Sequence, residues 1–421
     1  MMFSLSEFTG RDVIFVGQGR EWVSFEKFIT ANADIKSVKS IFITEENREE
    51  MNDMMRNLDF TTSILVKTAG YPGNLMPAPY TTQTKVFFEC VKQLGSKVIG
   101  VTGTKGKTTT ASLIHHMLKE ANKPTILAGN IGIPMLDTLE TATADSVFVL
   151  ELSSYQLNEL EQCPNIAVIT NLYRDHVDYH GSLENYWEAK RNIMRFMDTT
   201  GKVIFNPENE AILHWLAESD AEQLPIDNAE TIDMKQSQLI GDHNRINYLL
   251  ARSAAQSVGV DRFTCQQALK TFKPIAHRLQ TVRTVRGITF IDDAIASQPE
   301  AAVAGITACV REVGPVGCVM LGGTDRDYDF TSLVKLLSTL LIPKLVLFPD
   351  TGQRIKELLP ENYTPELCET DDMKTAVEWA ADNVPSGSVC LLSTASPSYS
   401  VWKDFEEKGN LFQKAVMNLS R

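Results

Sequence analysis

The stretch VIGVTGTKGKTTTASLIHHMLKE, residues 98–120, decides the architecture around it. Its apolar start reads as a buried strand, TGTKGKTTT as a glycine-bearing turn, and Ala111, Ile114 and Leu118 recur at helical spacing afterwards. Strand, loop and helix in that order form a phosphate cradle. Glycines let backbone N–H groups approach phosphate oxygens, and the helix N-terminus favours their negative charge. Lys107 is then placed to reach the terminal phosphates of ATP, and Thr108 to hold Mg²⁺. In the commoner loop a glycine stands five residues before the Gly of GK[ST]. Here that position is Val101, and Gly100, Gly103 and Gly106 give GxxGxxGKT instead. The plain alternative is a Gly/Thr-rich turn that merely caps a helix.

At 421 residues, with 43% hydrophobic and 22% charged content, the chain is an ordinary globular protein with room for two or three domains. A formal net charge of -13 argues against a nucleic-acid or anionic-membrane partner, because neutralising phosphates needs a basic face. Seven cysteines without a CxxC pair indicate reduced thiols rather than a disulfide framework or a zinc site. The start MMFSLSEFTGRDV has no basic region followed by an apolar stretch, and no apolar run reaches membrane-spanning length. A cytoplasmic, monomeric protein without membrane insertion is expected.

Strand patterns alternate with helical ones, which predicts parallel α/β units. DVIFVG (12–17), SIFIT (40–44) and SILVK (63–67) open a Rossmann-like N-terminal block, in which GQG at 17–19 is only a weak dinucleotide cue. A central block with the phosphate loop continues through SVFVLEL (146–152), NIAVITNL (165–172) and KVIFN (202–206), with helices at ENYWEAKRNIMRFM and 243–260. TVRGITFIDD, GCVMLGG, KLVLFPD and SVCLLST are the strands of a third, Rossmann-like block that ends in an amphipathic helix at 403–419. The expected domains are residues 1–88, 89–274 and 275–421.

TGTKGKTTT resembles the TGTNGK[ST]T loop of the Mur ligases and folylpolyglutamate synthetases, three-domain enzymes that form amides at the expense of ATP. Lys105 departs from the family's Asn. The resemblance implies that Gly103, Thr104, Lys105, Gly106, Lys107, Thr108 and Thr109 bind ATP. VFVLELSSYQL is similar to the segment that supplies a Mg²⁺-binding Glu, here Glu151, with Ser153 and Gln156 near a muramyl substrate. TNLYRDHVDYHGSLENYWEAKRNI follows the family's N-x-x-x-D-H-x-D pattern, which makes His176 a ligand of a second Mg²⁺. It also makes Lys190 the lysine that these enzymes carbamylate with CO₂, turning a cation into a metal-orienting anion. Asn130 in GNIG corresponds to an acceptor-substrate contact, with simple turn chemistry as the alternative. Asn244 and Asn247 in GDHNRIN, Arg278 in IAHRLQ and Asp293 in ITFIDD match nucleotide-binding positions.

The last third resembles the glutamate-adding branch. LLSTASPSYSVWKDFEEKGNLF places Ser398 and Phe405 on glutamate-binding positions, and LGGTDRDYDF puts Arg326 where a Lys binds the glutamate side chain. Arg retains the charge and can hold a carboxylate with two hydrogen bonds. Where the branch reads N-D-S-K-A-T-N, this chain reads D-A-I-A-S-Q from Asp293. Ile295 replaces the Lys, and Ser297 stands at the Thr that touches glutamate. That departure leaves both D- and L-glutamate open, with the D form favoured. At the N-terminus, Gly19, Arg20, Glu21, Thr44 (ending the second strand) and Gly70 correspond to UDP-sugar contacts, so UDP-N-acetylmuramoyl-L-alanine is the implied acceptor. Two alternatives remain. A folylpolyglutamate synthetase-like ligase carries the loop near its N-terminus, without roughly 90 residues ahead of it; a P-loop switch would leave the SSYQL and C-terminal matches without purpose.

Overall fold

Parallel pairing requires a crossover between strands, and this chain supplies a helix for most of them. The computed structural model describes residues 3–420 apart from 45, 132, 175–176, 235–236, 240–241 and 274–275. Three sheets result. The first comprises β1 (Asp12–Val16), β2 (Ser37–Ile41), β3 (Ser63–Lys67) and β4 (Thr81–Thr82), in the order β2-β1-β3-β4 and wholly parallel. The second comprises β5 (Lys97–Thr102), β6 (Thr125–Gly129), β7 (Val147–Glu151), β8 (Ile166–Ile169), β9 (Lys202–Phe205) and β10 (Glu222–Pro225). Its order β10-β9-β8-β5-β7-β6 is also wholly parallel. Because β5 lies between β7 and β8, the direction of winding reverses beside it, and such a reversal opens a crevice at the strands' carboxyl ends.

The third sheet contains β11 (Gln280–Val285), β12 (Ile288–Asp292), β13 (Val316–Gly323), β14 (Lys344–Asp350), β15 (Glu366–Glu369) and β16 (Val389–Leu392), in the order β11-β12-β16-β13-β14-β15. TVRGITFIDD, expected as one strand, is broken into an antiparallel hairpin. Arg286 and Gly287, at φ 51° and 78°, form the left-handed pair that a tight hairpin turn needs. The expected strand at SIFIT lies three residues earlier, at Ser37–Ile41. Its register with β1 (Asp12↔Ser37) governs its position, while Phe42 is exposed. Apolar patterning misses β4, β6, β10 and β15, and all four are edge strands. A strand flanked on one side only is under less demand for an apolar run.

The chain divides into two compact units, Met1–Thr231 with Ile246–Leu269 and Ile232–Arg245 with Lys270–Arg421. In the first unit one apolar core serves both sheets: Phe15 and Phe25 from the N-terminal part belong to the same cluster as Phe87 and Phe148, whose rings meet edge to face at 5.3 Å. Phe87 lies on the helix Gln83–Leu94, which runs through residue 89. Among the described residues, no helix is long and apolar enough to cross a membrane.

Candidate active site

The phosphate loop hangs from β5 and enters the helix Lys107–Glu120. Gly103 (φ 142°) and Gly106 (φ 83°) both adopt conformations that disfavour a side chain. Each is also packed tightly, since a Cβ would strike Thr170 Oγ1 at Gly103 and the Asn247 side chain at Gly106. The chain after β8 braces the loop. Thr104 N–H donates to Asn171 O at 2.9 Å, and Lys105 N–H donates to Asn171 Oδ1 at 2.8 Å. Lys105 O accepts from Thr170 Oγ1 at 2.6 Å and from Asn171 Nδ2 at 2.9 Å, so the backbone of Lys105 is pinned while its side chain is exposed. Tyr173 N–H and the Tyr186 hydroxyl converge on Thr104 Oγ1 at 2.9 and 3.2 Å. Lys107 Nζ donates to Thr104 O at 3.0 Å, Thr108 is half-buried and Thr109 is buried. Asn171 opens the N-x-x-x-D-H-x-D pattern, but its bracing role and those of Thr170, Tyr173 and Tyr186 escape sequence reasoning, because bracing a loop leaves no motif of its own.

Glu151 ends β7 between Val101 of β5 and Gly129 of β6, and only 2% of it is exposed. Asn130 Nδ2 donates to its Oε1 at 3.0 Å, and Asn130 N–H donates to its main-chain carbonyl at 2.8 Å. Glu151 Oε2 is buried with no hydrogen-bond partner among the described residues. A buried, unsatisfied carboxylate oxygen costs on the order of 1–3 kcal/mol or more, and a hard cation with oxygen ligands would relieve that cost. The residues present therefore fit Mg²⁺, although no group of three or more His, Cys, Asp or Glu gathers as a metal cluster among the described residues. Lys190 is 1% exposed, with Nζ 4.7 Å from the Tyr186 ring centroid, so it is no solvated surface lysine. His176 lies outside the described residues. Ser153 and Gln156 form a capping box on the short helix Ser154–Leu157, with Gln156 N–H donating to Ser153 Oγ at 3.3 Å and Ser153 N–H to Gln156 Oε1 at 3.0 Å.

Gly19 and Arg20, at the start of the helix Arg20–Asn32, line a groove of about 670 Å³ with Trp22, Lys27, Ser40 and Asp137. Thr68 Oγ1 donates to Glu21, which ties this turn to the segment that carries Gly70. Thr44 lies beyond β2 rather than at its end, exposed, with its N–H on Asn47 Oδ1 at 2.7 Å. The segment around Gly70 is anchored by Lys67, which is fully buried. Its Nζ donates to Tyr71 O at 2.8 Å and pairs with Glu159 at 3.2 Å, while the Tyr179 hydroxyl donates to Ala69 O at 3.1 Å. Burial pulls the Lys67 ammonium below its ordinary value, against the pull of Glu159.

Asn244 and Asn247 are both buried on the helix Asp242–Ser257. In the second unit, Ser398 is 4% exposed, Ser297 and Phe405 are half-buried, and Arg326 is exposed with its guanidinium 5.9 Å from the Tyr399 ring centroid. Lys408 is wholly buried, with Nζ on Thr394 Oγ1 at 2.5 Å. Burial pulls its ammonium down to about 7, while Asp292 and Asp293 draw it upward. Below its ordinary 10.5 the unfolded chain holds this proton and the folded chain does not until about 7. Stability present above pH 10.5 is therefore lost as the pH falls through that window. Lys408→Met is expected to gain on the wild type between about pH 10 and pH 7, by on the order of a few kcal/mol at the lower end. Urea midpoints at the two pH values measure it.

Residues 101–251 match the Mur ligase middle domain. The UDP-N-acetylmuramoylalanine–D-glutamate ligase of Acetivibrio thermocellus is 31% identical over 369 residues, covering 80% of this chain and 77% of that protein. The UDP-N-acetylmuramoyl-L-alanine–L-glutamate ligase of Salinispora tropica is 34% identical over 349 residues, covering 76% and 74%. In fold, the MurF ligase from Thermotoga maritima in complex with ADP gives a TM-score of 0.63 at 18% identity, covering 99% of this chain and 98% of that one. The middle-domain match spans both the braced phosphate loop and the buried Glu151, and the Acetivibrio relative extends the likeness over most of both chains: this protein belongs to the Mur ligase family.

Proposed function

We propose that the protein joins glutamate to UDP-N-acetylmuramoyl-L-alanine in peptidoglycan precursor synthesis, converting ATP to ADP and phosphate. The observation that carries this reading is the braced phosphate loop beside a buried, half-satisfied Glu151, in a chain similar to glutamate-adding ligases. A carboxylate does not react with an amine at neutral pH, because the leaving group would be oxide. Transfer of the γ-phosphoryl group to the L-alanine carboxylate gives an acyl phosphate. The glutamate amine then attacks the acyl carbon, phosphate leaves, and the amine proton passes to solvent.

Lys107 and the loop N–H groups take the charge that spreads over the transferring phosphoryl group. Thr108, Glu151, His176 and Lys190 would hold two Mg²⁺ ions, which supply electrostatic stabilisation of that same charge. Carbamylation of the buried Lys190 would turn its ammonium into an anion able to hold a cation there. Asn130 holds one Glu151 oxygen and leaves the other for the metal. Asn244, Asn247, Arg278 and Asp293 are assigned to the nucleotide, the groove at Gly19 and Arg20 with Glu21, Thr44 and Gly70 to the UDP moiety, and Ser153 and Gln156 to the muramyl side. Ser297, Arg326, Ser398 and Phe405 are assigned to glutamate. We assign three domains, 1–88, 89–274 and 275–421, to a monomeric cytoplasmic enzyme.

D-glutamate is the first reading of the amino acid. L-glutamate is the second, favoured by Ile295 in place of the branch's Lys. Phosphate release with Mg²⁺, ATP and the UDP-sugar, measured with each enantiomer separately, is expected to require one of them and to exceed the other by at least about 100-fold. Release that needs neither glutamate nor the UDP-sugar would sink the ligase reading.

A further inference from the structure

Lys67 is fully buried at the end of β3, where the strand's other residues are buried as well and an aliphatic side chain would serve the sheet. A buried ammonium is costly unless it is paired, so the charge needs a reason. Its Nζ donates to Thr68 O at 3.2 Å and to Tyr71 O at 2.8 Å, two carbonyls of the turn that carries Gly70. It pairs with Glu159 Oε2 at 3.2 Å and lies 5.7 Å from the Tyr80 ring centroid. Glu159 comes from the second sheet's part of the chain, just beyond the short helix Ser154–Leu157 that follows β7. A Cβ at Gly73 would strike Glu159 Oε1 and the Tyr80 hydroxyl, so a glycine there lets the chain after the turn close on the carboxylate. A second side chain grips the same turn. The Tyr179 hydroxyl donates to Ala69 O at 3.1 Å, with Tyr71 O at 3.3 Å, and its ring meets Tyr155 of the short helix edge to face at 4.3 Å.

The turn after β3 and the helix after β7 belong to different sheets, and an ion pair and an aromatic contact join them where no strand pairing does. Gly70 on one side and Ser153 and Gln156 on the other are assigned above to a single UDP-sugar. Resting on that assignment, we propose that Lys67, with Tyr179, is a positioning residue for the acceptor substrate. Acting through Glu159 and the carbonyls of the turn, it fixes the spacing between the two sides of the UDP-sugar site. A ligand that spans both sides then meets them already spaced, and none of its binding energy goes into drawing them together.

Affinity for UDP-N-acetylmuramoyl-L-alanine, measured by calorimetry on the full chain with Mg²⁺ and a non-hydrolysable ATP analogue, tests this for Lys67→Met, Lys67→Met with Glu159→Gln, and Tyr179→Phe. Affinity for the analogue alone and urea midpoints are read beside it. Lys67→Met is expected to weaken the UDP-sugar roughly 10-fold and to leave the analogue within about 2-fold of wild type. The double variant removes both charges and should bring the urea midpoint back toward wild type. It should still bind the UDP-sugar no better than Lys67→Met, because the two carbonyls of the turn stay unheld. A role in stability alone would restore affinity together with the midpoint, and that result overturns the proposal. So does unchanged UDP-sugar affinity in Lys67→Met, or an equal loss for both ligands. Should neither Lys67 variant fold, Tyr179→Phe removes one hydroxyl from the same turn and should weaken the UDP-sugar about 3-fold with the analogue unaffected; unchanged affinity there overturns the proposal. A wild type that does not bind the UDP-sugar fails the acceptor reading itself, whereas a wild type that binds it no more tightly than Lys67→Met does fails only the proposal.

Discussion

Lys107→Met lowers glutamate-dependent phosphate release by at least about 10³-fold in the expected result, with the far-ultraviolet spectrum and thermal midpoint close to wild type. The ammonium donates to Thr104 O within its own loop at 3.0 Å, a neighbouring contact that a bound phosphate can displace at little cost. Methionine has similar length and suits a half-buried position, so the loop should keep its shape and lose only the charge. The loss should appear mainly in kcat, because the positive charge matters most when negative charge is moving between oxygens. Loss of ATP affinity with kcat unchanged would instead make Lys107 a ground-state anchor. Full activity would remove the phosphate loop from the chemistry.

Glu151→Gln is the second large effect, expected at about 10²- to 10³-fold in kcat at fixed Mg²⁺. The amide is nearly isosteric and can still accept from Asn130, so the local structure should hold. It lacks the charge that a divalent cation requires of the buried Oε2. Titration with Mg²⁺ distinguishes the causes. A metal ligand moves the Mg²⁺ midpoint to higher concentration, whereas a residue that only shapes the strand end lowers activity at every concentration alike. An unmoved midpoint would return Glu151 to a structural role.

The central site was the most legible part of the chain because its constraints are local. Gly103, Gly106 and Lys107 fall within five residues, and their spacing announces a strand, a loop and a helix before any tertiary contact is known. The place of Glu151 at the end of an apolar run was visible for a similar reason, whereas a metal role for it came only from the resemblance of VFVLELSSYQL to the family segment. Edge strands β6, β10 and β15 were invisible, since exposure on one flank removes the hydrophobic periodicity that reveals a strand. The hairpin at Arg286–Gly287 was also missed because a single glycine between apolar runs does not announce a left-handed pair. The braces Thr170, Asn171 and Tyr186 come from segments far from the loop they hold, and only folding brings them together.

The place of β5 within its sheet also orders how the site can be made. The strand is followed at once by the phosphate loop, yet one of its two neighbours, β8, is synthesised more than sixty residues later. A nascent chain that has emerged only through β7 carries the whole glycine motif and Glu151, but it lacks Thr170, Asn171 and Tyr173 to fix the loop. Residues emerge at about 5–20 per second, so for several seconds the motif exists without a competent shape. Nucleotide can therefore stabilise only chains that have passed Tyr186, and because Asn244 and Asn247 are assigned to it as well, protection from protease by ATP should appear only at chain lengths that include the helix Asp242–Ser257.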